Sequence, residues 1–354
     1  MSLEMEAAIK AELDGALGRI RQGVSIAGLG FNVMSALMQP LGLTQSIVRV
    51  GAPWIGKGLA QYLGAPIAKT REVNERSEFM AGRNRTQFRE LNELRNQIEG
   101  EHPARTAVSS GAYFLMMRCQ QMVDVPTWLG AYEKAVADGN ADERAVALAD
   151  QAVIDAQGGG MVKDLSAIER GGPAQKLFTV FYSFMNTALN TGALATVHSS
   201  GKADLAIKLA LTAVIPTVLG KVFRDAVTPG DSGNYDDLEK TAKTLISEQA
   251  QFLLGLVVFA REFSGVTRTL TGDKDMGYSG PVGLRMIPDA GKLAKQAMQG
   301  EFDTAFRKAL LNFCGDLLGI PSAQINKTWT GMEALANGDT ENPMALIAGY
   351  QKPN

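Results

Sequence analysis

The stretch that decides the fold runs from Lys176 to Lys202 and reads KLFTVFYSFMNTALNTGALATVHSSGK. The 25 residues between the two lysines include no Asp, Glu, Lys or Arg. This length suits a membrane span, because about 20 apolar residues cross the hydrocarbon of a bilayer. Hydroxyl and amide side chains interrupt the run, however, and such groups are typical of helices that pack against other helices. The stretch predicts a helix and leaves two environments open, a protein core or a bilayer.

The two sides of this helix differ in chemistry. Its apolar side is our candidate membrane or helix-packing face, and it consists of Phe178, Phe181, Tyr182, Met185 and Leu189. The polar side carries Ser183, Asn186, Thr187 and Asn190. In a helical core these polar groups would be hydrogen-bonded internally. In a bilayer they would face partner helices or a water-filled path.

Three other uncharged segments follow the same pattern. Residues 22–48 contain 27 residues without a charge, and Pro40-Leu41-Gly42 is expected to split them into two short helices. Residues 209–220 are bounded by Lys208 and Lys221, and they are too short to span a bilayer alone. Residues 252–260 are shorter still. These segments also leave the choice between core and membrane open.

Helix signals dominate the rest of the chain, so we predict an all-α fold, an elongated multi-helix bundle. Asn140 and Glu143 resemble a capping box, followed by a helix with one apolar face that ends at Gly158. A second amphipathic helix over 302–317 is expected to end at Gly319. We expect an N-terminal helical region over 1–157 and a C-terminal region over 158–354, the latter with apolar helices at 173–228 and 235–264.

Residues 69–99 predict one long charged amphipathic helix of about 45 Å. Opposite charges recur four residues apart, as in Glu72 and Arg76, which stabilises a helix whose surface is mostly wet. Interleaved acids cancel the basic residues, which excludes a phosphate-binding stripe. A narrow apolar seam would bind one partner helix, and it consists of Val73, Met80, Leu91, Leu94 and Ile98.

Composition excludes several functional classes. The chain has 35 basic and 37 acidic residues, so its net charge gives no general attraction to nucleic acid. Its imidazoles are His102 and His198, so a histidine-containing metal site or a Ser-His-Asp triad would have to be built around one of these two, and we expect neither to be catalytic. Cys119 and Cys314 form no motif and are expected to be reduced. The acidic N-terminus is not a secretory signal. We predict no catalytic residue, no cofactor and no metal.

One short motif suggests an enzyme. SALMQPLG at 35–42 is similar to a stretch of lysozyme-like lytic transglycosylases, which act on peptidoglycan. That chemistry needs a glutamic acid with a raised pKa in a cleft. Here Ala36 replaces the glycine of the motif, and the nearest upstream acids, Glu12 and Asp14, lie on a charged amphipathic helix. The lytic enzyme is therefore the least favoured hypothesis.

Three segments together resemble a known family: FNVMSALMQPLGLTQSIVRVG at 31–51, KDLSAIERGGPAQKLFTVFYSFMNT at 163–187, and GIPSAQINKTWTGMEALANGDTENPMALIAGYQK at 319–352. They are similar to a helical module of phage and mobile-element polyvalent proteins, the large polyvalent protein-associated domains. Some proteins with this module are internal virion proteins ejected with the DNA. The enzymatic domains that often precede the module are absent here, which is expected of a split gene, a relic or a piece of a larger product.

The resemblance implies a structural, non-enzymatic protein that contacts the host membrane during DNA delivery. Its expected location is the virion or the bacterial cytoplasm, and the host inner membrane during delivery. Its expected partners are other virion or polyvalent-protein domains, the membrane or further copies of itself, and no specific nucleic acid. The alternative is a soluble protein-protein interaction module that uses the 69–99 seam.

Overall fold

The computed structural model describes residues 3–29, 31–85, 103–159, 166–172, 182–230, 245–246, 249–250, 252–253, 256, 286–300 and 302–351. Within these ranges the regular structure is helical and no strand occurs, which confirms the predicted all-α fold. The helices are α1 Leu3–Leu29, α2 Val33–Leu37, a 3-10 helix Gln39–Gly42, α3 Leu43–Val50, α4 Ala52–Gly64, α5 Pro66–Arg76, α6 Glu78–Arg85, α7 Pro103–Ala137, α8 Asp142–Gln157, α9 Tyr182–His198, α10 Lys202–Leu209, a π-helix Ala210–Val214, α11 Ile215–Val227, α12 Met286–Gln299, α13 Thr304–Leu318, α14 Ser322–Asn337 and α15 Ala345–Ala348.

The hydrophobic core is built around α7, which packs against α4 on one side and α8 on another. Val125 and Trp128 of α7 are fully buried in this core. The close approach of α4 depends on glycine. A Cβ atom on Gly130 would lie 2.5 Å from the carbonyl oxygen of Trp54, closer than real Cβ contacts come. The crossing of these two helices therefore requires a residue without a side chain.

A buried ion pair ties α6 to this core. The Arg83 guanidinium donates from Nε to Asp124 Oδ2 at 2.8 Å and from Nη2 to Oδ1 at 3.2 Å. Both side chains are almost completely buried. Arg83 also donates to the carbonyl oxygen of Gly158, directly after α8. Because each charge meets a partner, the pair is tolerated in the interior and fixes the position of α6.

The helix over 69–99 is not continuous, which corrects the prediction. α5 ends at Arg76, Ser77 adopts an extended conformation, and α6 begins at Glu78. The Ser77 hydroxyl accepts a hydrogen bond from the Met80 backbone N–H at 3.0 Å, as a helix N-cap does. The predicted ion pair between Glu72 and Arg76 is present at 3.9 Å. Residues 86–99 lie outside the described part of the chain.

The predicted capping box at Asn140 is also wrong. Helix α8 begins at Asp142 after Ala141, and no side chain caps it. The Asn140 side chain donates instead to the carbonyl oxygen of Ala135 at 2.9 Å, so it closes the end of α7. The rest of the prediction for this helix is confirmed. Its apolar face is buried and it ends at Gly158, which has a positive φ of 79°.

The uncharged segment 22–48 is broken rather than straight. The 3-10 helix begins beside Pro40, which confirms the predicted split, and a second break follows α1 at Phe31. The helical parts Ile9–Gly28 and Val33–Val50 meet at 76°. Many residues of the segment are buried, including Val24, Ala27, Ala36, Gln45 and Ser46. This segment is therefore packed against the rest of the protein at many positions, although Phe31 and Leu37 are exposed.

Contacts cross the predicted boundary between residues 157 and 158. Helix α1 packs against α13 and α14, and α9 packs against α8 and α3. The division into two regions at this point stays a prediction. The predicted apolar helix 235–264 lies mostly outside the described residues, whereas the predicted helical region 173–228 contains α9, α10 and α11.

Candidate functional site

A helical hairpin follows the core, and its second helix is apolar but little buried. Helix α9 is joined by Ser199–Gly201 to one continuous helix of 26 residues, Lys202–Val227, which includes α10, the π-helix and α11. We call Lys202–Val227 the long apolar helix. The π-helix lies just before Pro216, which has no N–H and crowds the carbonyl four residues earlier. A widened turn accommodates this proline without ending the helix.

The long apolar helix is apolar enough to cross a membrane, yet only 11% of its most apolar 18-residue window is buried. A helix of this composition in the core of a soluble protein would be mostly buried. Ile207 is 60% exposed and Leu219 is 46% exposed. The helix therefore presents to its surroundings the kind of surface that soluble proteins usually cover.

The exposed residues of this helix form a belt without charge. Between positions 203 and 223 every exposed residue is apolar. We call this set the apolar belt: Ala203, Ala206, Ile207, Leu209, Val214, Leu219 and Val222. At 1.5 Å per residue the belt extends over about 30 Å, the thickness of the hydrocarbon of a bilayer. Exposed Lys202 and Arg224 lie just beyond its two ends, where the charged flanks of a membrane span would lie.

The two lysines inside the belt region lie on the packed side of the helix. The Lys208 ammonium is 2.9 Å from Asp204 Oδ2, and the Lys221 ammonium is 2.6 Å from Asp225 Oδ1. The lysine side chains are 22% and 16% exposed. Because each is paired with a carboxylate one helical turn away, neither places a free charge in the belt.

Several hydroxyl groups of the hairpin are buried or bonded to the helix backbone, whereas Asn190 of the predicted polar side is exposed. Thr212 is buried and its hydroxyl donates to the carbonyl oxygen of Lys208 at 2.8 Å. On α9, Thr187 and Thr191 are buried, whereas Leu189 and Val197 are exposed. Hydroxyl groups between helices with aliphatic groups outside are typical of membrane helices and are the reverse of a soluble surface helix.

The predicted face of the first uncharged stretch is only partly described. Tyr182 is buried, and its hydroxyl donates to the carbonyl oxygen of Leu256 at 3.0 Å. Met185 is partly buried, and Leu189 is 42% exposed. This side of α9 therefore passes from the protein interior to the surface. Phe178 and Phe181 lie outside the described residues.

The described part of the predicted seam on 69–99 packs against other helices of the same chain. Val73 and Met80 are fully buried and belong to the core of α7 and α8. Their apolar partners are therefore helices of the same chain. Leu91, Leu94 and Ile98 lie outside the described residues, so a partner for that part of the seam stays a prediction.

Sequence reasoning predicted apolar helices over 173–228, but it judged residues 209–220 too short to span a bilayer because Lys208 and Lys221 bracket them. The spacing of Asp204 to Lys208 and of Lys221 to Asp225 is four residues in both cases. Ion pairs at this spacing share one side of a helix. That signal was present in the sequence and would have extended the uncharged surface in both directions.

Other candidate chemistry is sparse. His198 lies at the end of α9, as expected, with Nδ1 3.1 Å from the carbonyl oxygen of Leu194. Cys119 is buried and Cys314 is partly buried, and both are free thiols. Within the described ranges, no group of three His, Cys, Asp or Glu residues could hold a metal ion. Comparison of the chain with protein-family models, with curated proteins and with solved structures found no match.

Proposed function

We propose that this chain is a non-enzymatic helical component of a phage or mobile element, of the internal virion or ejection type, and that it contacts the host membrane through the apolar belt. The belt is the observation that carries the proposal. It has the length of a bilayer's hydrocarbon, its exposed residues are apolar, the interspersed charged residues form the ion pairs Lys208–Asp204 and Lys221–Asp225, and exposed cations lie beyond both ends. The phage setting is supported by the resemblance of residues 31–51, 163–187 and 319–352 to the polyvalent-protein module.

The membrane-contacting segment in this proposal is Lys202–Val227 rather than residues 22–48. The earlier segment bends by 76° and its buried residues already have protein neighbours. The long apolar helix has exposed apolar residues near both ends and at Val214 near its centre. Its hairpin partner α9 contributes exposed Leu189 and Val197. The Thr212 hydroxyl, which donates to the carbonyl oxygen of Lys208, would keep this partner when lipid replaced water outside.

Energies of transfer indicate how the proposal should be tested. At the centre of a membrane helix a Leu, Ile or Val contributes about −0.3 to −0.6 kcal/mol, whereas a lysine costs about 2.5 to 3.5 kcal/mol. One lysine in the middle of the belt therefore cancels several aliphatic side chains. Val214 is 45% exposed and lies near the centre of the helix, so a lysine there can be introduced without filling the protein core.

The test is flotation of the purified chain with phosphatidylcholine liposomes, comparing wild type with Val214→Lys. Wild type should float with the liposomes. The amount of Val214→Lys in the floating fraction should be at least tenfold lower than that of wild type, as expected from the transfer cost of a lysine. Met298→Lys on α12 is the matched control, because Met298 is 88% exposed and lies outside the hairpin. The proposal is contradicted if wild type stays in the aqueous fraction or if both variants float equally. Association of the belt with a second copy would appear as a dimer that persists with liposomes present.

A further inference from the structure

A cavity of about 330 Å³ lies beside the hairpin, where the end of α3 meets α9 and α10. Its charged and imidazole residues come from five helices: Arg49, Lys134, Asp155, His198 and Lys208. Aliphatic groups of Val48 and Leu194 complete the wall. A cavity of this size is at the lower end of those that bind small molecules. It can hold a compact polar group with a short carbon chain, but not a whole lipid.

The cavity lining carries more positive than negative charge. Three permanent cations line it and Asp155 is its one lining carboxylate. Arg49 forms an ion pair with that carboxylate, with its Nη2 atom 2.5 Å from Asp155 Oδ2. Lys208 pairs with Asp204. Lys134 donates to the backbone carbonyl oxygen of Val50 at 3.1 Å, and within the described part of the chain it forms no ion pair.

The Lys134 ammonium is therefore the charge that a ligand would neutralise. An ammonium group has three N–H donors, and the Val50 carbonyl accepts one of them. An anionic oxygen that accepts the others would gain charge-assisted hydrogen bonds in a partly enclosed site. Arg49 is 44% exposed, so its guanidinium also has surface available to a bound anion.

The position of the cavity narrows the class of anion. The Lys208 side chain is directed towards the Lys202 end of the apolar belt, because its ammonium donates to the carbonyl oxygen of His198 at 3.3 Å and to Asp204 Oδ2 at 2.9 Å. In the proposed function this end is the level of the lipid headgroups. Leu194 lines the cavity and is also 43% exposed, so an apolar wall leads from the cationic lining towards the outer surface of the hairpin. This arrangement suits an anion that carries an acyl chain more than a fully polar one.

We propose that this cavity binds the phosphate group of an anionic phospholipid, with Lys134, Lys208 and Arg49 around the phosphate and the acyl chains directed along the hairpin. The proposal rests on the proposed membrane contact, because it is the hairpin that brings the cavity to the level of the headgroups. The same cationic lining could accept free phosphate, and the experiment separates these two sources.

The experiment uses the full chain and dihexanoyl phosphatidylglycerol below its micelle concentration, measured by calorimetric titration, with inorganic phosphate as a separate titrant. Wild type should bind the short-chain lipid, and Lys134→Met should weaken binding about tenfold, the loss expected for a charge-assisted hydrogen bond. Lys202→Met is the matched control, because Lys202 has the same charge but lies outside the cavity lining. It should leave binding within about twofold, a change of less than 1 kcal/mol.

Several outcomes overturn the proposal. Equal binding by wild type and Lys134→Met would place the lipid elsewhere, provided that circular dichroism shows both to be folded. Lys208→Met is the second variant, to be used if Lys134→Met does not fold, and unchanged binding in it has the same meaning. Tight binding of inorganic phosphate with no gain from the acyl chains would assign the cavity to free phosphate.

The calorimetric titration and the flotation experiment test the cavity and the belt separately. Short-chain lipid is monomeric, so its binding does not require a bilayer, and flotation with uncharged phosphatidylcholine does not require the cavity. A chain that floats but does not bind phosphatidylglycerol keeps the membrane function and loses the phosphate site. A chain that binds phosphatidylglycerol through Lys134 but does not float keeps the phosphate site and loses the belt.

Discussion

At the residue scale, a few polar side chains decide where helices begin, end and meet. Ser77 both caps α6 and donates to Asp150 Oδ1 at 2.6 Å. The same carboxylate oxygen accepts the indole N–H of Trp128 at 2.7 Å. Asp150 thus joins α8 to the break between α5 and α6 and to α7. Because burial disfavours its charge, this junction should depend on pH.

The Asp150 carboxyl should make folding more favourable in acid than near neutral pH over a limited window. Burial raises its pKa above the ordinary value of about 3.9, and the hydrogen bonds from Ser77 and Trp128 offset part of that rise. Between the ordinary and the raised pKa the folded chain holds more protons than the unfolded chain. The free energy of unfolding contributed by Asp150 therefore falls as pH rises through this window.

Asp150→Asn tests this, because it keeps an oxygen acceptor and removes the charge. In urea unfolding from pH 4 to 7, the free energy of unfolding of wild type should fall as pH rises. The fall should be smaller in Asp150→Asn, because this variant has no carboxyl group at position 150 to titrate. Asp150→Ala is the control for the hydrogen bonds, since it leaves an indole N–H and a hydroxyl without their acceptor and should cost about 1–3 kcal/mol. Identical pH profiles for wild type and Asp150→Asn would contradict the assignment.

At the element scale, glycine residues allow two helices of this fold to come into direct backbone contact. The contact of α7 with α4 at Gly130 is one such place. The boundaries of the elements follow local chemistry that the sequence shows well. Gly158 and Gly319 end their helices as predicted, and both have positive φ angles. Ser77 was not predicted to break a helix, because serine is tolerated in helices and its cap depends on Asp150, which is distant in sequence.

Gly130→Ala should destabilise the fold by about 1–3 kcal/mol, because the new Cβ would lie 2.5 Å from the Trp54 carbonyl oxygen and force α4 and α7 apart. Gly56→Ala is the matched control on α4, since a Cβ atom added there would have no neighbouring atom within 4 Å. That control should be neutral or stabilising by up to about 1 kcal/mol. Thermal and urea unfolding measure both, and equal effects of the two substitutions would contradict the close crossing.

At the scale of the whole molecule, the sequence predicted the fold class. It predicted the type of helix that forms the candidate site, but not which segment forms it. Helices with polar groups on a packed side were expected, and Thr187, Thr191 and Thr212 of the hairpin are buried, whereas Asn190 of the predicted polar side is exposed. Composition alone did not predict which segment would stay uncovered, because residues 22–48 carry no charge and residues 202–227 carry six charged residues, yet the second segment is the more exposed one. The difference arises from tertiary packing, which buries the first against the core and leaves the second exposed.

The central claim is that the apolar belt lies in the hydrocarbon of a bilayer. The most direct measurement is the fluorescence of an environment-sensitive dye attached to Cys at position 214, after Cys119 and Cys314 are replaced, in liposomes that carry nitroxide-labelled acyl chains. The same dye at position 298 is the water-exposed reference. We predict a blue-shifted emission and strong quenching by the acyl-chain nitroxide at position 214 and neither at position 298. Emission and quenching at position 214 equal to those at position 298 would contradict the account.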